Sequence, residues 1–114
     1  MDKYLDLGAQ LCPNAVTNAI REVSVFYQQA LHSNEDKPSL LIETIAPNMN
    51  RDLSLYLAQT YGDSIKIEQH ESAPLNQYQL AALKGELEPE ELEHHTRSYL
   101  LLITYQSNQQ CRPQ

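Results

Sequence analysis

From Ala15 to Leu31 the apolar residues Ala15, Val16, Ala19, Ile20, Val23, Phe26, Tyr27, Ala30 and Leu31 recur at three- and four-residue steps. Asn14, Asn18, Arg21, Glu22 and Gln28 fill the positions around them. This spacing gathers the apolar side chains on one stripe of an α-helix, and such a stripe needs an apolar layer to lie against. A candidate layer follows at once. Leu40, Leu41, Ile42, Glu43, Thr44 and Ile45 make a nearly apolar run, the mark of a strand covered on both sides or placed centrally in a sheet. A one-striped helix joined to such a strand directs the chain toward packed layers of helix and sheet.

The remaining segments extend this pattern. Lys3 to Leu7 alternates and reads as a first strand, with Gly8 to Leu11 as its exit loop. Pro13 suits the first turn of the following helix, because its missing N–H falls among donors that have no helical partner there. Ser33 to Pro38 reads as a polar loop, and Pro47 ends the apolar strand. Asn48 or Asn50 can cap a second helix carrying Leu53, Leu55, Tyr56, Leu57 and Tyr61, with Asp52 in its first turn and Gly62 as its stop. Ser64 to Glu71 alternates as a half-exposed strand, and Arg97 to Tyr105 supplies the last one. Between them, Leu75 to Lys84 reads as a short helix ended by Gly85, and Pro89 to Glu93 as one or two further turns. The expected fold is therefore an α+β two-layer sandwich in β-α-β-α-β-β order. It has a four-stranded mixed sheet, two helices on one face, and a helical insertion over about residues 72–96 before the last strand.

With 114 residues, 41% of them hydrophobic, the chain has the size and apolar content of one domain. The reading assigns 1–106 to that domain and 107–114 to a flexible polar tail. Eight lysines and arginines against fifteen aspartates and glutamates give a net charge of −7. That charge opposes the Coulombic attraction on which nucleic-acid binding depends, so direct nucleic-acid binding is not expected. No apolar run approaches the roughly 20 residues that span a bilayer. The acidic start, Met1 to Asp6, lacks the cationic and apolar parts of a signal peptide, so the expected location is the cytoplasm.

Two cysteines, Cys12 and Cys111, lie near opposite ends of the chain, too few for a disulfide framework and wrongly spaced for a zinc pair. Cys12 is the sharper candidate. At the sequence start of the first helix, unpaired N–H groups and the helix dipole favour a thiolate, the reactive form of the side chain. The plainer reading is a small, buried apolar residue. Cys111, in the polar tail, reads as an incidental thiol or a resolving partner. Glu91 and His95, four apart, offer at most two metal ligands where a catalytic zinc wants three. The run Glu86, Glu88, Glu90, Glu91 and Glu93 reads as a solvated face, or as a surface for a basic partner.

Taken in order, Leu5-Asp6, Cys12-Pro13, Leu40-Leu41-Ile42, Pro47 and Arg51-Asp52 resemble the TusA-like (SirA-like) sulfur-carrier family over nearly the whole chain. Ala15 stands where that family's Cys-Pro-x-Pro motif has its second proline, and Ala9 where a glycine usually precedes the cysteine, so the chain resembles a divergent member. The resemblance implies that Cys12 accepts a persulfide, Pro13 sets the helix start, and Arg51 and Asp52 help to shape a docking surface. The implied partners are a cysteine desulfurase or other sulfur donor and a downstream sulfur-acceptor protein, with no metal or organic cofactor. The rival expectation is a non-catalytic interaction or regulatory module that keeps the fold and binds through the insertion.

Overall fold

The computed structural model describes residues 2–11, 14–33 and 37–106. The elements are β1 (Asp2–Asp6), α1 (Asn14–Leu31), β2 (Ser39–Thr44), α2 (Met49–Tyr61), β3 (Ile65–Pro74), α3 (Gln77–Lys84), α4 (Pro89–His94) and β4 (Arg97–Tyr105). The strands form one sheet in the order β1-β2-β4-β3. β1 lies parallel to β2, and β4 runs antiparallel to both of its neighbours. The last strand in sequence thus lies inside the sheet. Composition accounts for this: the two apolar runs, Leu40 to Ile45 and Tyr99 to Ile103, take the central places, while the charged strands β1 and β3 form the edges. Charged edges also discourage pairing with a further strand.

Helices α1 and α2 cover one face. Ala15, Ala19, Val23 and Phe26 of α1 and Met49, Leu53 and Leu57 of α2 are buried against Leu40 and Ile42 of β2, Leu101 and Ile103 of β4, and Ile65 of β3. The register explains this set, since Ile42 lies opposite Leu101 and Leu40 opposite Ile103, so alternate residues of the central strands point at the helices. Three tyrosines close one end of the core: Tyr27 lies 4.7 Å from Tyr61 and 5.9 Å from Tyr105 between ring centroids. Burial raises the Tyr61 hydroxyl above its ordinary pKa.

The expected α+β sandwich is therefore the observed one, with differences in detail. β1 begins and ends one residue earlier than the alternation suggests, and Leu7 lies just beyond it, buried, with its N–H donating to the Glu43 carbonyl at 2.9 Å. Asn48 occupies the N-cap position of α2, yet its side chain makes no capping hydrogen bond. β3 runs on to Pro74, so Ser72 to Pro74 belong to the strand. Its register shifts between Ile67 and Gln69; such a bulge moves every later residue to the other face and ends the simple alternation.

β2 is central, as its composition suggests, but it is not covered on both sides. Leu41 and Glu43 point to the face that α1 and α2 leave open, together with Tyr4 of β1 and Leu100 and Leu102 of β4. Among the described residues, no helix is long and apolar enough to cross a membrane.

Candidate functional site

The loop leaving β1 is built by three local hydrogen bonds. Gly8 takes a φ of +56°, in the left-handed region that favours glycine, and its N–H donates to Asp6 Oδ1 at 2.8 Å. The Gln10 N–H donates to the Leu7 carbonyl at 3.1 Å, and the Ala15 N–H donates to the Leu11 carbonyl at 3.0 Å. That last bond has the i to i−4 form of an α-helix and marks where helical pairing begins. Ala15 itself is 0% exposed within the main core. A proline there would lose the bond to Leu11 and add ring atoms in a filled space.

Cys12, Pro13 and Cys111 lie outside the described residues, as does the segment 107–114. The described flanks of the first pair are Leu11, half-buried, and Asn14, exposed.

The insertion packs against this loop. Ile45, Leu75 and Leu83 form a second buried cluster, against which Ala9 and Leu11 of the loop and Leu80, Leu87 and Leu92 of the insertion pack. Helix α3 starts with a reciprocal cap. The Gln79 N–H donates to Asn76 Oδ1 at 2.8 Å, and the Asn76 N–H donates to Gln79 Oε1 at 2.9 Å. The same Gln79 side chain donates from Nε2 to Glu43 Oε2 at 3.0 Å, fixing α3 to the end of β2. Pro89 opens α4, where Glu88 and Glu91 form a second reciprocal cap. The Leu75 N–H donates to the Thr96 carbonyl at 3.0 Å and closes the base of the insertion.

A cavity of about 120 Å³ remains between the loop, the end of the sheet and α3. Asp6, Ala9, Glu43, Ile45, Gln79 and Glu86 are among its lining residues. Tyr4 donates its hydroxyl to the other carboxylate oxygen of Glu43. This bond, reinforced by partial burial and by the charges of Glu43 and Asp6, pushes the Tyr4 hydroxyl up to about 12.

The remaining sequence candidates lie apart. Arg51 and Asp52 form an exposed ion pair of adjacent residues, Nε to Oδ1 3.2 Å, in the first turn of α2. No hydrogen bond or ion pair joins them to the loop among the described residues. Glu91 and His95 do not share a helix face: α4 ends at His94, and His95 has left helical geometry at φ −124° and ψ 82°. Among the described residues, no three histidine, cysteine, aspartate or glutamate side chains are arranged to hold a metal ion.

The corner formed by Tyr4, Glu43 and Gln79 was not marked as a site by sequence reasoning. Its one visible signal is Glu43, a lone carboxylate within the apolar run from Leu40 to Ile45.

No family model, curated protein or solved structure matches the chain.

Proposed function

We propose that this protein is a sulfur-relay carrier of the TusA-like type, with Cys12 as the acceptor of a sulfane sulfur. In the proposed step the Cys12 thiolate attacks the terminal sulfur of a donor enzyme's cysteine persulfide. The donor's S–S bond breaks and its cysteine leaves as a thiolate while Cys12 becomes the persulfide. Attack by an acceptor protein's cysteine on the outer sulfur of Cys12 repeats the exchange and frees the Cys12 thiolate. The donor is a cysteine desulfurase or another persulfide-bearing protein. No metal or organic cofactor enters the step.

The observation that supports this reading is the Ala15 to Leu11 hydrogen bond, which brackets the Cys12-Pro13 pair in sequence where the loop from β1 gives way to α1. A thiol beside a helix start is favoured in its thiolate form. The element order, with two helices on one face of the sheet and an Arg51-Asp52 pair opening α2, also agrees with the order that the family resemblance implies. In this reading exposed Arg51 and Asp52 are available to a docking partner.

One observation favours a second reading, an interaction module without transfer. The insertion packs Leu80, Leu87 and Leu92 into the same cluster as Ala9 and Leu11, so part of the loop's flank is already occupied.

Intact-mass analysis separates the two. The reduced protein is incubated with a cysteine desulfurase and cysteine, alongside Cys12→Ser and Cys111→Ser. A carrier gains the mass of one sulfur atom, loses that gain in Cys12→Ser and keeps it in Cys111→Ser. A folded protein that stays unloaded by several persulfide donors overturns the relay and leaves the interaction module.

A further inference from the structure

The sheet has a second face that neither α1 nor α2 covers. Across it the register sets Tyr4 beside Leu41, Leu41 beside Leu102, and Leu102 beside Gln69. The next row is Asp6, Glu43, Leu100 and Glu71. Tyr4 is 57% exposed and Leu100 36%, and Leu41 and Leu102 are half-buried between them. The result is an apolar patch on strands β1, β2 and β4. Asp2, Asp6, Glu43 and Glu71 stand in the rows around it, and the cations of this face, Lys66 and the Lys37 paired with Glu68, lie in the row of Asp2, at the end away from Glu43.

At one end this floor meets a wall. Gln79 of α3 reaches down to Glu43, and the cavity of about 120 Å³ lies in the corner, bordered by Asp6, Glu43 and Ser98 from the sheet and by Leu83 and Glu86 from the insertion. Pockets for drug-sized ligands are larger, at roughly 300–1,000 Å³, so this enclosed part of the corner fits one side chain, and a wider, open cleft of about 450 Å³ adjoins it at Asp6, Gly8, Ala9 and Glu86. Its lining is of two kinds. Ala9, Ile45, Leu75 and Leu83 suit a methylene stem, and the carboxylates of Asp6, Glu43 and Glu86 suit a guanidinium or ammonium head. None of these carboxylates has a cation of this chain beside it among the described residues, whose ion pairs lie elsewhere, at Lys37–Glu68 and Arg51–Asp52.

We infer that the open sheet face and the corner beneath α3 together form a docking site for an amphipathic helix of another protein. Its apolar stripe lies on Tyr4, Leu41, Leu100 and Leu102, and a lysine or arginine beside that stripe enters the corner between Asp6, Glu43 and Glu86. Charge complementarity selects this occupant. A second copy of the chain would bring the same carboxylates face to face, and a polyanion would meet them directly. The inference goes beyond the sulfur-relay reading and does not rest on it, because nothing in it requires chemistry at Cys12.

The test uses the full chain and a synthetic peptide of about 18 residues, built of leucine and lysine so as to be amphipathic when helical. A matched peptide carries glutamate in place of lysine. Fluorescence anisotropy measures binding between about 50 and 500 mM salt, and backbone amide NMR maps the footprint. The expected result is salt-sensitive binding of the lysine peptide alone, with shifts concentrated in β1, β2, β4 and α3. Leu100→Ser and Glu86→Lys each weaken it about tenfold, whereas Glu90→Lys, in the same acidic segment but away from the corner, changes it less than about twofold. Circular dichroism checks that each variant is folded, and Glu86→Gln replaces Glu86→Lys if that one is not.

Absence of binding at the lowest salt, a footprint on the outer sides of α1 and α2, or equal effects of Glu86→Lys and Glu90→Lys overturns the proposal. So does a concentration-dependent dimer, seen by sedimentation, whose interface is this face. That outcome assigns the surface to a second copy instead.

Discussion

The core between the sheet and helices α1 and α2 draws buried side chains from both helices and from β2, β3 and β4, whereas the cluster beneath the insertion, among the described residues, buries only Ile45, Leu75 and Leu83. The rest of that second cluster is half-buried and comes from the β1–α1 loop, from short helices and from the turn between them. In the first region each side chain is enclosed by neighbours from several elements distant in sequence. In the second, a few leucines, two reciprocal caps and the bond from Gln79 to Glu43 hold the insertion in place. Regions with few buried apolar contacts open at lower free energy than the whole molecule. The insertion is therefore the part of this fold that can lift from the sheet while the sandwich stays intact, and it borders both the loop before Cys12 and the acidic corner.

The largest expected effect lies in the main core. Phe26 is fully buried between α1 and the sheet, and Phe26→Ala should cost about 3–5 kcal/mol of unfolding free energy through lost burial and a cavity. Urea titration measures it, and hydrogen exchange should quicken together in α1, α2, β2 and β4. Leu83→Ala, the corresponding truncation in the second cluster, should cost less, about 2 kcal/mol, the low end for a buried leucine, since its short helix can relax around the gap. Its signature is faster exchange in α3 and α4 with β2 and β4 unchanged. Equal quickening of the central strands in Leu83→Ala would join the two regions into one cooperative unit and break the contrast.

Much of this division was legible in the sequence. The helix stripe from Ala15 to Ala30 follows from local periodicity, because one-sided burial writes its period directly into the chain, although Leu31, its expected last member, is 45% exposed and Leu55 of α2 59%. The two central strands are legible from their apolar runs instead. The insertion's two helices were legible from Gly85 and Pro89. What was not legible depends on contacts between segments far apart. The alternation of β3 gives no sign of the bulge after Ile67, which appears only through pairing with β4. The same holds for the corner: Tyr4, Glu43 and Gln79 are separated by dozens of residues, and no local pattern announces that β1, β2 and α3 meet there. An apolar strand composition also cannot say which of its two faces the chain's own helices will leave open.

The smallest expected effect tests that corner directly. Tyr4 donates to Glu43, and this bond, with burial and the nearby charges, raises its hydroxyl from 10.0 to about 12. A raised value means that the folded state holds the proton more tightly than the unfolded chain. The resulting stabilisation is complete below the unfolded value and is lost as pH rises from there through about 12. Because Tyr4 is 57% exposed, solvent screening keeps the stability effect small, and the titration itself is the better measurement. Ring chemical shifts of Tyr4 followed by NMR should titrate late in the native protein and return toward the ordinary range in Glu43→Gln, which removes the carboxylate charge. Tyr61, raised by burial instead, should stay late in that variant. Leu83→Ala links this titration to the contrast between regions. If the insertion opens independently, Glu43 loses Gln79 but keeps Tyr4, and the late titration persists. If Tyr4 returns to its ordinary range in Leu83→Ala, the insertion holds Glu43 in position, and the corner belongs to the weaker of the two regions.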